Sequence, residues 1–268
     1  MRTLVHLSDL HFGRVNPAIL APLAKFIGEI KPDLVAVSGD LTQRARTAEF
    51  LAAREFLASI PFPQIVVPGN HDVPLHNLLS RFARSLDRYK RYITPDLQPL
   101  FVDSEIAVAG VNTARAFTWK DGRINAGQLR RLRAMLQATP PGRTKIVVTH
   151  HPFDLPAGAS GRVVGRSRLA MKTLAECRVD LLLAGHFHIA DTSQTAKRYQ
   201  MPGYSAIIVS SGTTTSTRGR GQPNSFNVIS IEQPKIAIER RVWQRNSSAF
   251  DIQSVERFHR SEGGWIRE

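Results

Sequence analysis

The sequence predicts an α/β sandwich in which two mixed β-sheets face each other and helices cover the outer faces. Three observations predict it. Short, near-continuously apolar runs alternate with amphipathic segments over the first two-thirds of the chain, as strands do in a sheet covered by helices. From Ser205 onward strand-like runs follow one another with only turns between them, the signature of antiparallel strands. The 268 residues, 42% hydrophobic and 22% charged, suffice for one sizeable core, and no linker-like stretch divides them, so 1–268 is read as a single domain.

In chain order, Leu4–Leu7 reads as a strand, Ala18–Ile30 as a helix, Leu34–Val37 as a strand and Thr47–Ser59 as a helix. Ile65–Val67 is again a strand, Leu75–Tyr92 a helix and Ile106–Val111 a strand. The alternation continues with a helix at Ala126–Ala138, a strand at Ile146–Val148, a helix at Arg168–Cys177 and a strand at Leu181–Leu183. The last third contributes Ala206–Val209, Phe226–Ile231 and Ile236–Glu239 as strands, with a long loop, Ser210–Gly221, after the first of them. The polar, basic end 246–268 reads as a tail, a lid or part of a partner subunit's surface.

Thirty-six Lys and Arg against 22 Asp and Glu leave a net charge of +14, a field that attracts anions such as phosphate esters and keeps nucleic acid among the candidate partners. The bases are spread out: the groups Arg88–Arg91, Arg130–Arg133 and Arg218–Arg220 are small, so solvated basic faces around one anionic site fit better than a nucleic-acid arm. No apolar run is long enough to cross a bilayer, and Asp9 and His11 interrupt any N-terminal signal core. Cys177 stands alone, which rules out an internal disulfide and suits the reducing cytoplasm. A cytoplasmic chain without a membrane partner is the expectation.

Chemistry concentrates at the C-terminal ends of the strands. The first runs into Ser8-Asp9-Leu10-His11 and the second into Ser38-Gly39-Asp40. The third runs into Gly69-Asn70-His71-Asp72, a later one into Thr149-His150-His151, and the last into Gly185-His186-Phe187-His188. Ligands of open α/β sheets bind outside the carboxyl ends of the strands, so these five loops converge on one place. In Asp9-x-His11, side chains two apart in an extended chain point the same way and one metal would take both, though an Asp–His hydrogen bond explains that pair alone equally well. Singly, Asp40 reads as a turn residue or helix cap, and Asn70 and Asp72 as turn formers. Five such clusters at five strand ends make coincidence remote. Two Asp, one Asn and several His without Cys suit Mn, Fe or Zn, and seven ligands exceed one four-coordinate zinc, so two metals sharing a carboxylate is the economical reading.

The ordered set Asp9-x-His11, Gly39-Asp40, Gly69-Asn70-His71-Asp72, His150 and Gly185-His186-x-His188 resembles the calcineurin-like metallophosphoesterase superfamily, over residues 9 to 188. The resemblance implies its α/β/β/α sandwich. It also implies that Asp9, His11 and His188 bind a first metal, that Asn70, His150 and His186 bind a second, and that Asp40 bridges both. Two cations would hold the phosphate oxygens and acidify a shared water, whose hydroxide attacks phosphorus in line. His71 would protonate the leaving group as general acid, with Asp72 orienting or charging it.

The compact chain and the segments Asn112–Arg115 and Asn224–Asn227 are similar to the bacterial class III cyclic-nucleotide phosphodiesterases. The expected substrate is therefore a cyclic nucleotide, 3′,5′-cAMP or a 2′,3′-cyclic nucleotide, or another small phosphodiester. A nuclease or other phosphoesterase using the basic surface is the alternative, and a metal-free scaffold a more distant one. Arg115 is a candidate phosphate clamp, His151 either a support for the ligands or a substrate contact, and Phe117 or Trp119 a base-stacking candidate. His6 reads as a core or supporting histidine and His76 as a surface one, while Thr213–Thr215 and Arg218 form either a loop over the site or a plain connection. Related compact members imply a homodimer.

Overall fold

The computed structural model describes residues 1–74, 85–116, 120–218 and 221–268. One sheet has the order β13-β12-β11-β10-β1-β2-β3. Its members are β1 (Arg2–Leu7), β2 (Leu34–Ser38), β3 (Gln64–Val67), β10 (Ser225–Glu232), β11 (Lys235–Gln244), β12 (Ala249–Ser261) and β13 (Gly264–Arg267). The other has the order β4-β5-β6-β7-β9-β8, built from β4 (Leu100–Val102), β5 (Ile106–Gly110), β6 (Thr144–Val148), β7 (Leu181–Ala184), β8 (Asp191–Gln194) and β9 (Ile207–Ser210). β1, β2 and β3 run parallel, as do β5, β6, β7 and β9, while β10 pairs antiparallel with β1.

Side-chain alternation sorts each strand between two cores. Leu4, Leu34, Ala36, Ile65 and Val67 of the first sheet meet Ile146, Val148, Leu181 and Leu183 of the second in the space between the sheets. Val5, Leu7, Val35 and Val37 face outward under α1 (Pro17–Ile30), α2 (Thr47–Ala58) and α3 (Asp87–Tyr92). Val147 and Leu182 face α4 (Ala126–Gln137) and α5 (Ser167–Glu176) on the other side. The four layers expected from the sequence are present. Among the described residues no helix is long and apolar enough to cross a membrane.

Several local expectations need correction. The segment 246–268 is neither tail nor lid, because most of it forms β12 and β13, which extend the first sheet. Its polar character hid the strands: β12 carries Glu256, Arg257 and Arg260 yet buries Phe250 and Phe258, and β13 buries Trp265. Trp265 Nε1 donates to Asp180 Oδ1 at 2.9 Å, and Arg260 pairs with the same carboxylate, which fastens this end to the second sheet beside β7. β9 does not form a hairpin with β10; it lies parallel to β7 in the other sheet. β4, an apolar run of only three residues, and the polar β8 are short edge strands, the one too brief and the other too polar to read as strands from the sequence. Of the helix expected over Leu75–Tyr92, Asp87–Tyr92 is observed, and 75–84, with His76, lies outside the described residues.

Candidate metal centre

Loops leaving β1, β2, β3, β6 and β7 meet at one edge of the sandwich. Asp9 N donates to Gly39 O at 3.1 Å and His11 N to Asp40 O at 2.9 Å, which lays the first loop along the second. From the far side, Thr213 Oγ1 donates to Asp9 O and Thr215 Oγ1 to Leu10 O, both at 2.7 Å, while Ser8 N donates to Thr214 Oγ1 at 3.0 Å. These threonines are buried braces of the first loop. Asp9, His11, Asp40, His186 and His188 have φ of 52°, 49°, 53°, 77° and 59°. Each left-handed residue costs about 1–2 kcal/mol, and such strain concentrates where a site needs it. Asp9 and His11 thus share a side through left-handed backbone beyond the end of β1, and not through extended alternation.

Two donor clusters result. In the first, His11 Nε2 and His188 Nε2 face each other at 3.2 Å, with Asp9 Oδ1 3.1 Å from His188 Nε2 and 3.6 Å from His11 Nε2. In the second, Asn70 Oδ1 lies 3.1 Å from His150 Nε2 and 3.0 Å from His186 Nδ1, and these nitrogens are 3.3 Å apart. Asp40 Oδ2 stands between the clusters, 3.7 Å from His11 Nε2 and 3.4 Å from His150 Nε2.

The surrounding chain aims these atoms. Asp9 Oδ2 accepts from Ser8 Oγ at 2.6 Å and His186 N at 3.0 Å, leaving Oδ1 for the cluster. Asp40 Oδ1 accepts from His71 N at 2.8 Å, leaving Oδ2. His150 Nδ1 donates to Ser38 O at 2.8 Å and His188 Nδ1 to Arg218 O at 3.1 Å, so each turns Nε2 inward, the arrangement that orients metal-binding imidazoles. His6 Nε2 lies 2.9 Å from Ser38 Oγ and supports that residue from within β1. Gly69 and Gly185 permit the close approach: a Cβ would sit 2.1 Å from Asp40 Oδ1 at Gly69, and 1.8 Å from Ser8 Oγ at Gly185.

The donor set fits cations. Asp9 Oδ1 is buried without a hydrogen-bond partner, and facing imidazole nitrogens with carboxylate oxygens beside them form a ready coordination shell. Burial opposes ionisation of Asp9, yet His188 and His11 hold its carboxyl well below the usual range, and His150 does the same for buried Asp40. Burial also opposes charge on His150, but Asp40 pushes it up to about 9. Burial and the neighbouring His150 charge push His186 down to about 3.

The remaining candidates separate. His71 lies at the partly exposed lip, with Nδ1 2.8 Å from Gln43 O. Among the described residues, no hydrogen bond or ion pair joins Asp72 to the His71 ring. The Asp72 carboxylate accepts from Leu41 N, Thr42 N, Thr42 Oγ1 and Gly69 N, tying the second and third loops together, and burial followed by the charge of Asp40 pushes it up to about 6. The orienting contact expected of Asp72 thus comes from the Gln43 carbonyl, which sequence reasoning missed because a backbone acceptor leaves no residue signature. His151 is 2% exposed, with Nδ1 2.8 Å from Thr113 Oγ1 and Nε2 2.9 Å from Lys120 O. Both of its nitrogens are thus engaged within the protein, as a residue that supports the ligands would be. A His151 nitrogen also lies within 4.8 Å of ligand nitrogens of His150 and His186, and its ring packs on theirs at 4.8 and 4.5 Å, but Thr113 and Lys120 engage its two nitrogens, so Asn70 is the better third donor of the second cluster. Arg115 donates from Nε to Arg123 O and from Nη2 to Gln128 Oε1, contacts that anchor its side chain beside α4. Phe117 and Trp119 lie outside the described residues.

Two sheets with a twin His/Asp cluster at their common edge define a metallophosphoesterase-type fold and site. The family model described as calcineurin-like phosphoesterase matches residues 2–190, and the chain belongs to that family. Glycerophosphodiester phosphodiesterase GpdQ of Enterobacter lignolyticus (strain SCF1) is 28% identical over 146 residues, covering 46% of this chain and 51% of that protein. 3′,5′-Cyclic adenosine monophosphate phosphodiesterase CpdA of Escherichia coli (strain K12) is 30% identical over 161 residues, covering 58% of this chain and 54% of that one. The chain therefore spans about half the length of these curated relatives. The purple acid phosphatase PPD1 of yellow lupin shares the fold, with a TM-score of 0.70 at 14% identity over 96% of this chain and 53% of its own.

Proposed function

We propose that this chain is a dinuclear metal-dependent phosphodiesterase acting on a small diester, with a cyclic nucleotide as first candidate. The observation that carries the reading is Asp40 Oδ2, which stands 3.7 Å from His11 Nε2 and 3.4 Å from His150 Nε2 and joins two donor clusters into one centre. Asp9, His11 and His188 would hold one cation, Asn70, His150 and His186 the other, and Asp40 both; an N/O donor set without sulfur suits Mn, Fe or Zn. Such a pair of cations supplies Lewis-acid charge for the phosphate oxygens and lowers the pKa of water.

The chain's own residues do the rest. Left-handed loops hold the donors before substrate arrives, so little reorganisation remains for the reaction. His71 sits at the rim, oriented by Gln43 O, and gives a proton from Nε2 to the departing alkoxide. Asp72 acts at a remove, through the loops that carry Asp40 and His71.

The names of the two curated relatives, a glycerophosphodiester and a cyclic AMP phosphodiesterase, support a small diester. The test is turnover by Mn-loaded protein of 3′,5′-cAMP, 2′,3′-cAMP, a glycerophosphodiester, bis-nitrophenyl phosphate, nitrophenyl phosphate and single-stranded DNA. Preference for a small diester is expected. Turnover of the monoester alone, or of none of them, overturns the reading, and preference for salt-dependent cleavage of DNA moves it to a nuclease using the +14 charge.

A further inference from the structure

Arg218 connects the metal cluster to the acid. Its carbonyl accepts from His188 Nδ1 at 3.1 Å, while its guanidinium Nη1 lies 3.2 Å from His71 Nε2 and 3.4 Å from Gln43 Oε1. Arginine has donors and no acceptor, so His71 Nε2 accepts this bond and the ring proton sits on Nδ1, which donates to Gln43 O at 2.8 Å. The nitrogen that faces the leaving group is thus covered by Arg218.

The residue is held in place along its backbone and lightly held at its tip. Arg218 N donates to Ser216 Oγ at 3.1 Å, and the preceding Thr217 N donates to Arg14 O at 2.8 Å. Among the described residues no carboxylate forms an ion pair with the guanidinium, whose partners are a neutral amide oxygen and a neutral imidazole. Charge-assisted bonds to an anionic oxygen are roughly twice as strong as neutral ones, so a phosphoryl oxygen arriving at this rim outcompetes both partners.

Resting on the phosphodiesterase reading above, we propose that Arg218 is a phosphoryl-binding residue that masks His71 in the free protein and uncovers it when substrate draws the guanidinium away. The exchange makes and breaks hydrogen bonds only. It couples occupancy of the phosphate site to exposure of His71 Nε2, which takes a proton from solvent once uncovered and passes that proton to the leaving group, while the Nδ1 proton stays hydrogen-bonded to Gln43 O.

The test titrates inorganic phosphate by calorimetry into Mn-loaded wild-type protein, Arg218→Ala and Arg218→Lys, after elemental analysis of each. Arg218→Ala is expected to keep its metal, to weaken phosphate binding about tenfold or more, and to raise KM for a diester more than it lowers kcat. Arg218→Lys keeps the charge without the fork and should recover part of the affinity. Nitrogen NMR of the His71 ring should show the Nε2 signal moving on phosphate addition in wild type, and already moved in phosphate-free Arg218→Ala. Unchanged phosphate affinity, a loss confined to kcat, or loss of metal would overturn the proposal and leave Arg218 as a brace. The phosphodiesterase reading fails separately, on the wild-type substrate panel, while phosphate calorimetry still decides the role of Arg218.

Discussion

Asp40 Oδ2 stands 3.4 Å from His150 Nε2, with both side chains buried where the second and sixth strands end. Burial opposes the imidazolium but Asp40 raises it to about 9, so the metal-free chain keeps a proton on His150 at neutral pH. A cation bound through Nε2 must displace that proton. Metal affinity should therefore rise with pH from neutrality towards about 9, by about tenfold per unit for this one proton, and level off above. Calorimetry in buffers of different ionisation enthalpy should detect the released proton, and a pH-independent affinity would remove His150 from the ligand set. Asp40→Ala should empty the centre; two metals retained by elemental analysis would refute its bridging role.

Gly69 and Gly185 test whether close approach, and not merely donor identity, builds the site. An added Cβ would stand 2.1 Å from Asp40 Oδ1 at Gly69, and 2.5 Å from Asp9 Oδ2 at Gly185. Gly69→Ala and Gly185→Ala should therefore lose metal although every donor remains. Gly28→Ala, inside α1 with nothing within 4 Å of its Cβ, should instead stabilise the protein by about 0.5–1 kcal/mol. Normal metal content in both loop variants would show that the loops yield.

His71→Ala should retain both metals, since the His71 ring nitrogens meet Gln43 O and Arg218 Nη1 and belong to neither donor cluster. Turnover of diesters with poor leaving groups should fall about 100-fold or more, and much less for a nitrophenolate leaving group that needs no proton. Equal losses on both substrates would show that His71 is not the acid.

Trp265 is 1% exposed in the core between the sheets and donates to Asp180 Oδ1 at 2.9 Å. Trp265→Ala should cost about 3–5 kcal/mol, through the cavity and the uncovered carboxylate, read as a lowered denaturation midpoint. Metal content of the folded fraction should be unchanged. A loss below about 1 kcal/mol would show that the last strand contributes little to holding the sheets together.

What the sequence by itself determined is local: which runs are apolar at strand or helix period, and which metal-competent side chains follow each strand. Asp9-x-His11, Gly39-Asp40, Gly69-Asn70-His71-Asp72, His150 and Gly185-His186-x-His188 were legible because their spacing and chemistry are written within a few residues. Tertiary structure alone decided which atom of each faces inward. The left-handed backbone at Asp9 and Asp40, the Ser38 carbonyl that turns His150, and the Gln43 carbonyl that holds His71 depend on segments brought together by sheet pairing across 28 to 112 positions. The same cause moved Asp72 from the acid to the loops, drew Arg218 onto His71, and made strands of a polar C-terminus whose apolar residues, Phe250, Phe258 and Trp265, are too sparse to signal a strand alone. Hydrophobic period reports how a segment meets a core, whereas the partner of a buried polar atom is set by whichever distant backbone the fold delivers to it.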